Sequence, residues 1–111
     1  MESWNSATEV VAMTLIASAG TAKSLAFEAL KAAKQQRVDE ARDLLRQANV
    51  AIRQAHDAQT GLLQDEAQGQ GADLSILLVH AQDHFMTGML AVEMMTEVVE
   101  LYIELKGGET S

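Results

Sequence analysis

LSILLVHAQDHFMTGMLAVEMMTEVVELYIEL, residues 74–105, is the stretch on which the fold turns. Leu74, Leu78, Ala81, Phe85, Gly88, Val92, Met95, Val99 and Tyr102 follow one another with an unbroken 4-3 spacing. That spacing lays apolar and small side chains along one face of an α-helix, whereas a half-buried strand needs period two. A second series, Val79, Asp83, Met86, Leu90, Met94, Glu97 and Leu101, lies well around the cylinder and is also mostly apolar. A helix that is apolar on most sides is buried on most sides. A lone three-helix bundle leaves the outer face of each helix wet, so the second series predicts self-association through this helix. The competing readings are a groove for a partner protein and simple tolerance of exposed methionines. Large exposed apolar patches on monomers are uncommon.

Working outward, two earlier segments carry the same signal. From about Ser6 to Lys34 the stripe is Val11, Leu15, Ser18, Ala22, Leu25, Ala29 and Ala32, and Ala17-Ser18-Ala19-Gly20 predicts a close approach by a neighbouring helix. Lys34-Gln35-Gln36-Arg37 reads as a turn. From about Val38 to Ala67 the stripe is Ala41, Leu45, Ala48, Ile52, Ala55, Gln59 and Leu62. Arg37, Arg42, Arg46 and Arg53 fall in or just before the first half of this segment. Such a run is ordinarily a solvated face, with docking as the alternative. Gln68-Gly69-Gln70-Gly71-Ala72 reads as a loop, Asp73 as an N-cap, and Gly107-Gly108 as the stop of a third helix with Lys106 at its negative end. The expectation is therefore all-α: one domain over residues 1–111, with helices at about 6–34, 38–67 and 74–105 joined by short connections into an antiparallel three-helix bundle.

Composition narrows the function. The chain has 111 residues, no proline, no cysteine, and 16 acids against 8 Lys plus Arg for a formal charge of −8. Nucleic acid and anionic membrane surfaces would be repelled, whereas a basic protein partner would be attracted. The absence of cysteine removes disulfides, thiolate nucleophiles and Cys-based zinc sites. No apolar run is expected to reach a membrane span, and Met1-Glu2-Ser3-Trp4 lacks the basic lead of a signal peptide, which predicts a cytoplasmic chain without membrane insertion.

His80-Ala81-Gln82-Asp83-His84 is the constellation with chemistry in it. His80 and His84 are one helical turn apart and share a face. Three readings compete: a two-His metal site without the Glu of H-E-x-x-H, ordinary polar positions at an interface edge, and a histidine that carries a group covalently. Asp83 sits inside the second apolar series, and no Lys or Arg occurs between Arg53 and Lys106. If buried by association, that carboxylate must be protonated, paired with another helix, or bound to a cation; at the rim of the stripe it stays in water. His56, alone on the second segment, is expected to hydrogen-bond within the bundle. No phosphate-binding glycine loop and no nucleotide fingerprint is present, so any phosphate handled here must be delivered by another protein.

The run Val79-His80-Ala81-Gln82-Asp83-His84-Phe85-Met86-Thr87 resembles the signature of the IIA component of the lactose/cellobiose class of the bacterial sugar phosphotransferase system. Ala19-Gly20-Thr21-Ala22-Lys23-Ser24-Leu25-Ala26 with Glu28-Ala29-Leu30 resembles that family's first helix, and Ala55-His56 with Gln59-Thr60 its second. The three motifs occur in order over nearly the whole chain. Phe85 stands where the family commonly has Leu, which keeps the position apolar. The resemblance implies a homotrimer forming a nine-helix bundle. It implies that His80 accepts a phosphoryl group on Nε2 from the histidine phosphocarrier protein and passes it to a cysteine of a IIB component during disaccharide uptake. It implies supporting roles for Gln82 and His84, and a divalent metal ion, Mg2+ in the first instance, shared by Asp83 of three subunits. Ala81 and the first-helix stretch look more like cellobiose or chitobiose members than lactose members. The alternative is a helical adaptor with a His/Asp metal site and no turnover.

Overall fold

The computed structural model describes residues 6–69 and 76–110, which form three α-helices: α1 (Ser6–Lys34), α2 (Val38–Ala67) and α3 (Ile76–Thr110). They lie side by side in a rod of 65 × 22 × 18 Å. The bounds of α1 and α2 are those expected, a few residues outside the ends of the 4-3 stripes. Between them the chain reverses tightly. Gln36 takes φ 63°, its N–H donates to the carbonyl of Ala33, and the N–H of Arg37 donates to that of Ala32, each at 2.9 Å. This pair of bonds is a Schellman closure, with Gln36 in the left-handed position that glycine usually fills. The carbonyl of Arg37 then accepts the N–H of Ala41 at 2.9 Å to start α2.

The core is built largely of alanine. Ala12, Leu15, Ala19, Ala22, Ala26, Ala29, Ala32 and Ala33 of α1 meet Ala41, Leu45, Ala48, Ala51 and Ala55 of α2 and Ala81, Phe85, Val92 and Val99 of α3. Phe85, Leu15 and Val99 are the largest fully buried side chains. Small side chains let the helix axes come close, and α1 packs extensively against both neighbours while α2 and α3 touch each other far less. The closest approach is at Gly88: a Cβ there would stand 3.0 Å from the carbonyl oxygen of Ala19 and 3.1 Å from its Cβ. The small-residue stretch of α1 thus receives α3 at Ala19. Gly88→Leu forces that backbone contact apart and is expected to cost about 1–3 kcal/mol. A thermal melt checks it: a midpoint several degrees lower agrees, and an unchanged one contradicts the close packing.

Because α2 and α3 are loosely apposed, a groove of about 500 Å³ runs between them, lined by Arg42, Arg46, Arg53, Asn49, Thr96 and Glu100 among others. Arg42 crosses it, Nη2 donating to Oε1 of Glu100 at 3.3 Å. Arg46 pairs with Asp43 at 3.2 Å and Arg37 with Glu40 at 3.5 Å, each within one turn. All of these groups are close to half exposed or more, so the arginine run behaves as a solvated face whose pairs add little stability.

Three expectations are corrected. First, α3 does not stop at Gly107-Gly108 but continues to Thr110, and its last turn has no basic residue. Glycine costs only about 1 kcal/mol in a helix and forbids nothing, and the chain has no proline to force an end. Lys106 sits a turn earlier, its Nζ 5.6 Å from the Tyr102 ring centroid. Second, α1 over Thr8–Lys34 is long and apolar enough by composition to cross a membrane. Its small, uncharged stretch before Lys23 raises its hydropathy, and its buried alanines are spent on α2 and α3 instead. Third, the His56 ring makes no hydrogen bond among the described residues; its placement follows below. The Asp73 cap and the Leu74 start lie outside the described residues.

The second series on α3 faces outward in the single chain. Val79, Met86, Leu90, Met94 and Leu101 are each more than half exposed, and Asp83 and Glu97 are exposed beside them.

Candidate functional site

Ala81 and Phe85, 0% and 1% exposed, lock the rotation of α3 at the level of the HAQDH motif. With both fixed inward, the intervening residues are distributed around the helix by its 100° step. His80 is exposed and His84 half-buried on one flank, while Gln82 is half-buried on the other, the flank toward α2. The His80 and His84 ring centroids are 4.5 Å apart and the rings meet edge to face at 76°. Asp83 lies about 60° around from His80, on the outward apolar stripe. Thr87 Oγ1 donates to the Asp83 carbonyl at 2.9 Å and the His84 carbonyl at 3.3 Å, which keeps its hydroxyl within the helix.

Gln82 is tied across the bundle: Gln59 Nε2 on α2 donates to Gln82 Oε1 at 3.2 Å. This bond was not anticipated. Its signal in the sequence is Gln59 itself, an amide in an otherwise apolar stripe, since a half-buried polar group needs a partner. His56, one turn before Gln59, is exposed, with its ring tilted at 47° to Phe85 and the centroids 6.3 Å apart. It borders a cleft of about 240 Å³ shared with Arg53, Met89 and Glu93. It therefore flanks the motif level from α2 instead of bonding inside the bundle.

The Asp83 carboxylate has no ion pair among the described residues, and within one chain these place no group of three or more His, Asp or Glu to hold a metal. A hard carboxylate oxygen does suit a hard divalent cation, provided further ligands come from elsewhere. What one chain presents is thus an accessible imidazole on a rigid helix, a second imidazole beside it, and a lone carboxylate on an apolar stripe. An imidazole placed this way can act as a nucleophile toward phosphorus brought by another molecule.

The pattern of the family described as "PTS system, Lactose/Cellobiose specific IIA subunit" matches residues 10–103. The chain belongs to that family. The N,N'-diacetylchitobiose-specific EIIA component of Escherichia coli K12 is 46% identical over 98 residues, covering 88% of this chain and 84% of that one. The crystal structure of the cellobiose-specific enzyme IIA from Bacillus anthracis superposes with a TM-score of 0.86 at 41% identity, covering 90% of this chain and 92% of that one. The IIA(Chitobiose) subunit in its solution complex with HPr, from the Escherichia coli phosphotransferase system, gives 0.77 at 44% identity, covering 89% and 96%. The all-α three-helix architecture of this IIA subunit is thus that of its relatives.

Proposed function

We propose that this IIA subunit carries its phosphoryl group on Nε2 of His80. The IIA subunit of a disaccharide phosphotransferase system takes the group from the histidine phosphocarrier protein HPr and hands it to a IIB component. The observation that carries the assignment is the exposure of His80 beside a core that fixes its helix. An imidazole lone pair attacks phosphorus in line, the P–N bond to the carrier's histidine breaks, and the carrier's ring keeps the electron pair. On the second leg a thiolate of IIB attacks, a P–S bond forms, and the His80 P–N bond breaks. The transition state is loose, so the protein chiefly positions donor and acceptor. Ala81 and Phe85 supply that rigidity. His84, edge-on to His80, supports the acceptor ring, and Gln82, tied to Gln59, supports it indirectly by bracing α3 against α2 at that level. An acidic chain suits a basic donor surface.

Four further parts belong to the proposal. The outward stripe of α3 packs against its copies in a homotrimer of nine helices, with the basis that this apolar face is otherwise left in water. Three Asp83 carboxylates then meet and a divalent cation, Mg2+ by donor hardness, neutralises their repulsion. The chain works in the cytoplasm, where its donor and IIB partner act on one side of the transporter. The sugar is a disaccharide of the cellobiose/chitobiose or lactose type, with Ala81 and the first-helix stretch favouring the former.

The function is tested by supplying the general phosphotransferase proteins, phosphoenolpyruvate and a cognate IIB. Acid-labile phosphate on this chain, discharged when IIB is added, is expected; no incorporation leaves a non-catalytic adaptor. For the cation, Asp83→Leu is expected to keep or strengthen the trimer while Mg2+ content falls to background, because replacing buried charge with apolar bulk is often neutral or stabilising. Light scattering with metal analysis reads both, and undiminished metal in that variant contradicts the assignment.

A further inference from the structure

His80 and His84 stand one turn apart with ring centroids 4.5 Å from each other. His80 is exposed and His84 half-buried, so both rings reach solvent. Two imidazoles at positions i and i+4 of a helix can turn one nitrogen each toward a common point. The edge-to-face contact already brings the rings within the span that a single ion bridges at ordinary Zn–N lengths of about 2.0–2.1 Å. Here Ala81 and Phe85 hold the helix rigid under the pair, so a chelate needs only rotation about the side-chain bonds. Gln82 is occupied by Gln59 and does not compete for the rings. No Lys or Arg occurs between Arg53 and Lys106 in the sequence, and a chain of charge −8 raises the local concentration of cations.

We infer that His80 and His84 chelate a borderline divalent transition-metal ion, Zn2+ or Ni2+, at an open site completed by water. This site differs in chemistry from the carboxylate site proposed at Asp83. Imidazole nitrogen selects zinc, nickel and copper, whereas carboxylate and water select magnesium. The binding itself needs neither the trimer nor phosphoryl transfer. One consequence rests on the reading of His80 as acceptor: a ring clamped in the chelate, with a lone pair given to the metal, is not free to align on phosphorus. Metal and phosphoryl group then exclude each other, and trace zinc acts as a brake on the carrier.

The experiment titrates the full chain with Zn2+ against a chromogenic chelator, with Mg2+ as the hard-ion control. Native protein, Asp83→Asn, His80→Gln and His84→Gln are compared, each checked for helicity by circular dichroism. One Zn2+ per chain is expected in the native protein and in Asp83→Asn, undisturbed by excess Mg2+. Affinity is expected to fall about tenfold or more in either histidine variant, since the second imidazole binds intramolecularly. His80 is exposed, so its variant serves even if the half-buried His84 variant fails to fold. Absence of zinc uptake by the native chain, unchanged affinity in His80→Gln, or loss that follows Asp83→Asn overturns the inference. None of these readings depends on phosphorylation, so failure of the carrier assignment stays separate.

Discussion

His80→Gln is expected to abolish acid-labile phosphate incorporation, with a fall of at least about 10³-fold in the rate at which HPr is discharged, in line with removing the nucleophile of a covalent mechanism. Glutamine keeps the polarity and much of the bulk at an exposed position, so the folding stability is expected to stay within about 0.5 kcal/mol of the native protein. That combination separates chemistry from folding. His84→Gln is a useful neighbour: it leaves the His80 nitrogen in place, so phosphate still appears, at a lower rate if the edge-on ring orients the acceptor. Quench-flow with the labelled carrier measures all three proteins. Undiminished phosphate in His80→Gln sinks the assignment.

The second large effect concerns assembly. Leu90→Lys with Met94→Lys places two cations per chain on the outward stripe, where Leu90 and Met94 are 56% and 55% exposed on the single chain. Both are exposed in the monomer fold and touch no core cluster, so the bundle itself is expected to survive. A trimer would have to bury several like charges along one axis, at several kcal/mol per unpaired charge. Light scattering at micromolar concentration is expected to give about three subunit masses for the native protein and one for the variant. A native monomer, or a variant that still trimerises, contradicts the role given to α3.

The distribution of what the sequence disclosed has physical causes. The spans of α1 and α2 were legible because their stripes repeat through buried alanines such as Ala22, Ala29, Ala48 and Ala55, and the polar Gln35-Gln36-Arg37 interrupts them. The end of α3 was not, because Gly107 and Gly108 weaken a helix without terminating it. The outward stripe was readable from periodicity alone, since Val79, Met86, Leu90, Met94 and Leu101 have no place in a core already filled by Phe85, Val92 and Val99. At the site, spacing put His80 and His84 on one face, but their edge-to-face contact depends on rotamers that no spacing encodes. The Gln59–Gln82 bond and the position of His56 against Phe85 depend on the relative height of α2 and α3, which the sequence leaves open.

The central claim is that one particular nitrogen holds the phosphoryl group. Phosphorylate the native chain through HPr, then read the phosphorus–nitrogen coupling in the 15N-labelled imidazoles by NMR under alkaline conditions. A single phosphorylated ring is expected, at His80 and through Nε2. Phosphate on His84 or His56, or on Nδ1 of His80, would contradict it.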